Sequence, residues 1–200
     1  DFRYKFNNRS NLRINYRGTA SQPSMSQLLD ITDNTDPQNV SVGNPGLKPS
    51  FTNNFRFFYN TFRQKYYQSL MTFVNFSTTR NGIGNSVYYN SVTGARTVKP
   101  VNVNGNWNAN AALMFNTSLD SAGIWNINTF TTGSFNRYAS YLQLKNMEAM
   151  EKNITNSSTI GERLSASYRN NWLEVELDGS ANYTHTKNNL QAANNLNTWQ

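Results

Sequence analysis

Across residues 101–119 the odd positions read Val, Val, Gly, Trp, Ala, Ala, Leu, Phe, Thr and Leu, while the even positions are mainly Asn. A period of two puts each set on its own face of an extended strand; a helix, at ~3.6 residues per turn, would mix them, and Asn is a poor helix-interior residue. Read as one strand, the stretch spans 19 residues. Strands in globular proteins usually run ~3 to 10 residues. Such length is unusual in a compact soluble domain and expected where a barrel wall continues beyond a bilayer.

Other segments repeat the alternation. Leu12, Ile14 and Tyr16 alternate with Arg13, Asn15 and Arg17, and further apolar rows are Phe55, Phe57, Tyr59 and Leu70, Thr72, Val74, Phe76. Trp125, Ile127 and Thr129 continue the series, followed by Leu164, Ala166, Tyr168 and by Leu173, Val175, Leu177, Gly179, Ala181, Tyr183. Their opposite faces carry Arg163, Ser165 and Arg169, then Glu174, Glu176 and Asp178. With a short strand at 2–6, eight antiparallel strands are expected. Tight turns fall at Asn7-Asn8, 63–65, 120–123 and Asn170-Asn171, and long loops at 21–50, 79–99, 137–158 and 185–200. Short turns at one end and long loops at the other are the pattern of a transmembrane β-barrel. Aromatic residues near the strand ends, among them Tyr16, Phe76 and Tyr168, sit where interfacial girdles occur. Gly105, Gly133 and Gly179 are read as points of close approach or curvature within strands.

Composition narrows the function. Asn fills 34 of the 200 positions, and charged residues make up only 14%, so polarity comes chiefly from neutral amides. The +7 net charge, from 18 Lys and Arg against 11 Asp and Glu, is scattered singly rather than run together, which argues against a nucleic-acid binder. With no Cys and a single His, His185, neither a disulfide framework nor a multi-His metal centre is available. No apolar run is long enough for a membrane-crossing helix; a β-strand needs only ~9 to 11 residues with one apolar face. The chain opens on Asp1 without Met or signal peptide, which suggests a processed product or a piece of a longer chain.

Alternation alone does not locate lipid. A soluble β-sandwich also buries one face and hydrates the other. A surface adhesin or carbohydrate-binding protein is therefore the competing reading, with a purely structural barrel as a third.

The stretch Pro23, Ser24, Met25, Ser26, Gln27, Leu28, followed by Gly43, Asn44, Pro45, Gly46, Leu47, Lys48 and Pro49, resembles the carboxyl-terminal barrel part of Bacteroidota TonB-dependent-receptor-like outer-membrane proteins. In that family a strand rises, an outer loop carries the Gly-Asn-Pro and Leu-Lys-Pro elements, and the next strand descends; residues 12–17 and 55–61 take those places here. Ser50 stands where the family usually has an acidic residue. The resemblance implies that residues 1–200 form a partial barrel domain without a plug, about eight strands of a larger antiparallel transmembrane β-barrel in the bacterial outer membrane. It implies the wall and outer loops of a receptor importing a glycan, peptide or metal chelate. Partners would be outer-membrane lipid, the plug and remaining barrel of the parent chain, TonB through the plug, and a surface lipoprotein.

On that reading Arg13, Arg17, Arg163, Arg169, Glu174, Glu176 and Asp178 are lumen or plug contacts, and Tyr88, Tyr89 and Trp199 are candidate ligand contacts, since aromatic area suits sugar faces. Gly43, Asn44, Pro45, Leu47, Lys48 and Pro49 are structural: the prolines restrict the backbone, Gly43 and Gly46 permit bends, and Leu47 anchors the return. No catalytic residue and no cofactor is expected. His185 reads as a loop residue with no Ser-Asp companions, and Glu174 with Glu176 makes a carboxylate pair only in sequence spacing. Residues 142–150 carry a roughly amphipathic pattern that suits a short helical turn.

Overall fold

The computed structural model describes residues 1–90, 92–143 and 149–200. Its strands are β1 (Phe2–Asn7), β2 (Ser10–Ser21), β3 (Thr32–Asp33), β4 (Asn39–Val42), β5 (Ser50–Arg63), β6 (Gln68–Arg80), β7 (Gly82–Tyr89), β8 (Arg96–Val103), β9 (Asn106–Ser118), β10 (Trp125–Gln143), β11 (Glu151–Arg169), β12 (Glu174–Asn188) and β13 (Leu196–Trp199), with a short α-helical turn, α1 (Met25–Leu28), and 3-10 turns at Gln64–Tyr66 and Ala192–Asn194. Alternating apolar and polar residues favour this conformation because each side chain then finds its own medium on one side of the pleat. β1, β2, β5, β6, β9, β10, β11 and β12 are successive antiparallel neighbours.

At the short-turn end, tight links join β1 to β2, β5 to β6, β9 to β10 and β11 to β12. Asp120 ties one of them, accepting the amides of Ile124 at 2.9 Å and Trp125 at 3.0 Å. The Ile124 amide foremost holds the Asp120 carboxyl below its usual range.

At the other end the β6–β9 hairpin changes course. Asn81 at φ 51° and Gly105 at φ 106° take the left-handed region on facing strands, and the Asn81 amide donates to Asn104 Oδ1 at 2.7 Å. Beyond this hinge the chain continues as the β7–β8 hairpin. β7 lies parallel to the end of β10, with Ser86 to Tyr88 beside Tyr141 to Gln143; β8 lies parallel to β4, and β3 closes this arm. The fold's small apolar core sits here: Leu47, Val103, Ala139 and Leu142 are buried, whereas the long strands carry mostly half-exposed or exposed side chains.

The loop from Gly43 to Pro49 fastens this arm to the sheet. Asn44 donates to the Pro100 carbonyl at 2.9 Å and accepts the Gly46 amide at 3.1 Å, while its own amide donates to the Gln27 carbonyl at 2.7 Å. The Lys48 amide donates to Asn102 Oδ1 at 2.7 Å, and Asn102 Nδ2 donates to the carbonyls of Lys48 and Asn81, each at 2.9 Å. A Cβ at Gly43 would run into the Leu29 backbone carbonyl, whereas one at Gly46 would meet only the Asn44 side chain. The two glycines, equal in the sequence reading, are therefore unequal.

Several expectations are corrected. An all-antiparallel segment of about eight strands from a closed barrel was expected; the described residues form one 13-stranded sheet, mixed because β7 and β8 make parallel pairings, and open because among those residues β1 pairs only with β2 and β13 only with β12. Residues 101–119 are not one strand: Gly105 breaks the run, so Val101 and Val103 belong to β8. The nineteen-residue strands are β10 and β11, which take up most of the loop expected at 137–158, and the loop expected at 79–99 is largely the β7–β8 hairpin. His185 lies inside β12, its Nδ1 2.6 Å from Asn197 Oδ1, not in a loop. Of the expected helical turn at 142–150, Leu142 belongs to β10 and residues 144–148 lie outside the described residues.

Three substitutions test the staple. Asn102→Ala removes three hydrogen bonds and is expected to cost ~1–3 kcal/mol. Gly43→Ala should expose the 21–50 segment to limited proteolysis in detergent, while Gly46→Ala leaves the cleavage pattern unchanged; equal patterns for the two glycine variants would contradict the staple.

Candidate functional site

Register sorts the long strands' side chains into two continuous faces. One begins with Phe2 and Tyr4 on β1 and runs through Ile14, Phe57, Val74, Ala111 and Gly133 to Ile160 and Tyr183. Near its upper limit a ring chain crosses five strands: Tyr16 to Phe55 at 5.0 Å between centroids, Phe55 to Phe76 at 6.3 Å, Phe76 to Trp107 at 5.9 Å, and Trp107 stacked on Phe135 at 4.5 Å. Toward the short-turn end lie the Tyr4–Phe6 pair at 4.9 Å and the Trp125–Tyr168 pair at 4.7 Å. On β10, Trp125 and Phe135 are ten positions apart. At ~3.3 Å per residue and a strand tilt of ~40°, that is a band ~25 Å tall, the height of an outer-membrane apolar belt.

Large apolar side chains on this face are open to the surroundings; Phe55 is 43% exposed and Ile160 61%. One carboxylate, Glu162, interrupts the band, where it accepts a hydrogen bond from the Thr131 hydroxyl. Acidic residues are the less costly charges on a lipid-facing strand.

The opposite face is built of cross-strand polar rows. One runs Asn15, Arg56, Asn75, Asn110, Ser134, Thr159, Thr184; its neighbour runs Arg13, Phe58, Phe73, Ala112, Thr132, Gly161, Asn182. Apolar side chains interrupt these rows, Met71, Met114 and Phe130 in one and Phe58 with Phe73 in another, the last two rings standing 4.9 Å apart at 47°. Beside them, small Ala112 leaves room, and a hollow of about 610 Å³ opens between the ring pair, Arg13, Arg56, Asn15, Asn75 and Asn110. That is within the ~300–1,000 Å³ typical of small-molecule sites. Asn75 Oδ1 is covered and has no hydrogen-bond partner. Turning this amide toward the hollow would offer a ligand an acceptor.

Charges on this face are unevenly matched. On β11 and β12, Arg163 pairs with Asp178 at 3.3 Å, Arg169 pairs with Glu174, and Ser165 donates to Glu176 at 3.0 Å. Exposed pairs of this kind contribute ~0–1 kcal/mol each, so they orient neighbours more than they stabilise. On β1, β2 and β5 the same face carries Arg3, Lys5, Arg13, Arg17 and Arg56, and the one carboxylate there, Asp1, is shared between Arg3 at 3.0 Å and Arg13 at 3.1 Å.

The residues singled out in the sequence fall into separate places. Arg13, Arg17, Arg163, Arg169, Glu174, Glu176 and Asp178 share the polar face but divide into a basic group and an ion-paired group. Tyr88 and Tyr89 end β7, beside β10, whereas Trp199 on β13 packs against Tyr183 at 4.5 Å with β11 and β12 between them. The fold does not gather these three rings. Phe58, Phe73, Arg56 and Asn75 were missed; their signal was two aromatics on the polar parity of adjacent strands. Among the described residues no cluster of His, Cys, Asp and Glu could hold a metal, and no helix is long and apolar enough to cross a membrane.

An exposed apolar band of bilayer height backed by a polar face defines a β-sheet protein of membrane type. Residues 1–200 match the model of the outer membrane protein beta-barrel family, and the chain belongs to that family. The protein is located in the bacterial outer membrane. No curated protein and no solved structure matches it. Single-tryptophan variants keeping Trp107 or Trp125 are expected to be quenched more by lipid brominated near the headgroup than near the chain terminus; stronger quenching by the deep label would contradict the belt.

Proposed function

We propose that this chain is a carbohydrate-binding protein of the outer membrane, holding a saccharide against the polar face of its sheet while the apolar face meets lipid. One observation carries the reading: the hollow in which the Phe58–Phe73 ring pair stands among Asn15, Asn75, Asn110 and two guanidiniums. A sugar offers an apolar C–H face and a rim of hydroxyls; rings match the first, amides and guanidiniums the second. No covalent step is needed.

The import reading is withdrawn. It required a closed wall around a channel, and this sheet is open. The likeness to TonB-dependent receptors of Bacteroidota, with the plug, TonB and surface lipoprotein it would bring, is supported only by the 23–28 and 43–49 motifs, whose residues act here as a staple.

A second reading places the saccharide at the outer end, on Tyr88 and Tyr89 of β7, and is favoured by the exposure of Tyr88, 41%. Retention of the detergent-solubilised protein on a panel of immobilised oligosaccharides separates the two. Phe73→Ala is expected to weaken binding about tenfold, equivalent to ~1.4 kcal/mol, with Tyr88→Ala and Trp199→Ala near wild type. Undiminished binding by Phe73→Ala, or no retention on any glycan, would overturn the proposal.

A further inference from the structure

We infer that the saccharide this hollow takes is anionic, a uronate or similar acidic sugar whose carboxylate is met by Arg56 together with Arg13. The inference rests on the carbohydrate reading and names its substrate class. Register is the starting point. Arg13 lies opposite Phe58, and Arg56 is two residues before Phe58 on the same face of β5, so Arg13 and Arg56 are diagonal neighbours. Arg17 lies opposite Asn54 and is diagonal to Arg56 on the other side. Diagonal positions on one face stand ~7–8 Å apart at the backbone, within reach of long side chains converging on one group.

The chain pairs its cations elsewhere on this face. Arg163 and Arg169 each hold a carboxylate from β12. Arg56 and Arg17, by contrast, have no ion pair and no hydrogen-bond partner among the described residues, and Arg13 has only its share of Asp1. Two guanidiniums lining one hollow repel one another, and a carboxylate placed between them relieves that repulsion while accepting the forked, charge-assisted hydrogen bonds that guanidinium geometry favours. The Phe58–Phe73 rings beside Arg13 then cover the apolar face of the same sugar. A neutral sugar would meet the rings, amides and guanidiniums with its hydroxyls but leave the positive charge uncompensated.

The probe is a pair differing only in charge: trigalacturonate and its fully methyl-esterified, neutral form, titrated calorimetrically into the whole chain in detergent. The acid is expected to bind at least about tenfold more tightly than the ester at low salt, with the gap narrowing as salt screens the charges. Arg56→Gln and Arg13→Gln should each lower the acid's affinity by more than the ester's, bringing the ratio of the two toward one. Arg169→Gln, which removes a cation already paired at the far side of the face, should leave the ratio as in wild type. Equal affinities for acid and ester, or a ratio unmoved by Arg56→Gln, would overturn the charge assignment and leave the carbohydrate reading standing. Binding of neither probe, with neutral glycans still retained on the panel, would also sink the acidic assignment; retention of no glycan at all would sink both.

Discussion

Everything in this fold depends on the backbone ladder, because the sheet has almost no core. Eight strands hold one another by main-chain hydrogen bonds, and among the described residues the buried apolar side chains cluster under the upper arm. In water such a sheet would leave its aromatic face unburied and its edges bare. In a bilayer the same face is at home, since hydrocarbon takes the place of a core. The amide-rich composition follows: Asn, Ser and Thr keep the other face wet without loading it with charge.

The upper arm shows how a uniform ladder is made to end in something specific. Asn81 and Gly105 face each other across one hairpin, and their left-handed backbones release β7 and β8 from the line of β6 and β9. Freed from that line, β7 pairs with β10 and β8 with β4, and the loop carrying Asn44 and Leu47 locks the result through Asn102. The motif that stands out most in the sequence is thus a fastening, and the site with ligand-binding chemistry lies well away from it, on the faces of β2, β5, β6 and β9.

How much of this could be read in the residues depends on the range of the interaction. Face assignment is local, and the parity of Leu12, Phe57, Val74, Ala111 and Leu164 gives it correctly because the pleat has a strict period of two. The break at Gly105 was carried by an Asn-Gly dipeptide, as was the hinge at Asn81-Gly82; parity continuing through Val101 and Val103 outweighed that turn signal. The parallel pairings of β7 and β8 join segments far apart in sequence and leave no periodic trace. Closure is equally invisible, since each strand reads the same in an open sheet and a closed one. The hollow was half legible: Phe58 and Phe73 break the polar parity, but only the register of β5 with β6 sets the two rings side by side and puts Arg56 and Asn75 next to them.

The two-faced sheet is tested most directly by nitroxide labels placed one at a time along β9 and β10 in lipid. Labels at Ala109, Ala111 and Gly133 should collide freely with oxygen dissolved in the acyl chains and be shielded from a water-soluble nickel chelate. Labels at Asn108, Asn110 and Ser134 should show the reverse. A smooth profile with no alternation, or chelate access at the odd positions, would contradict the account.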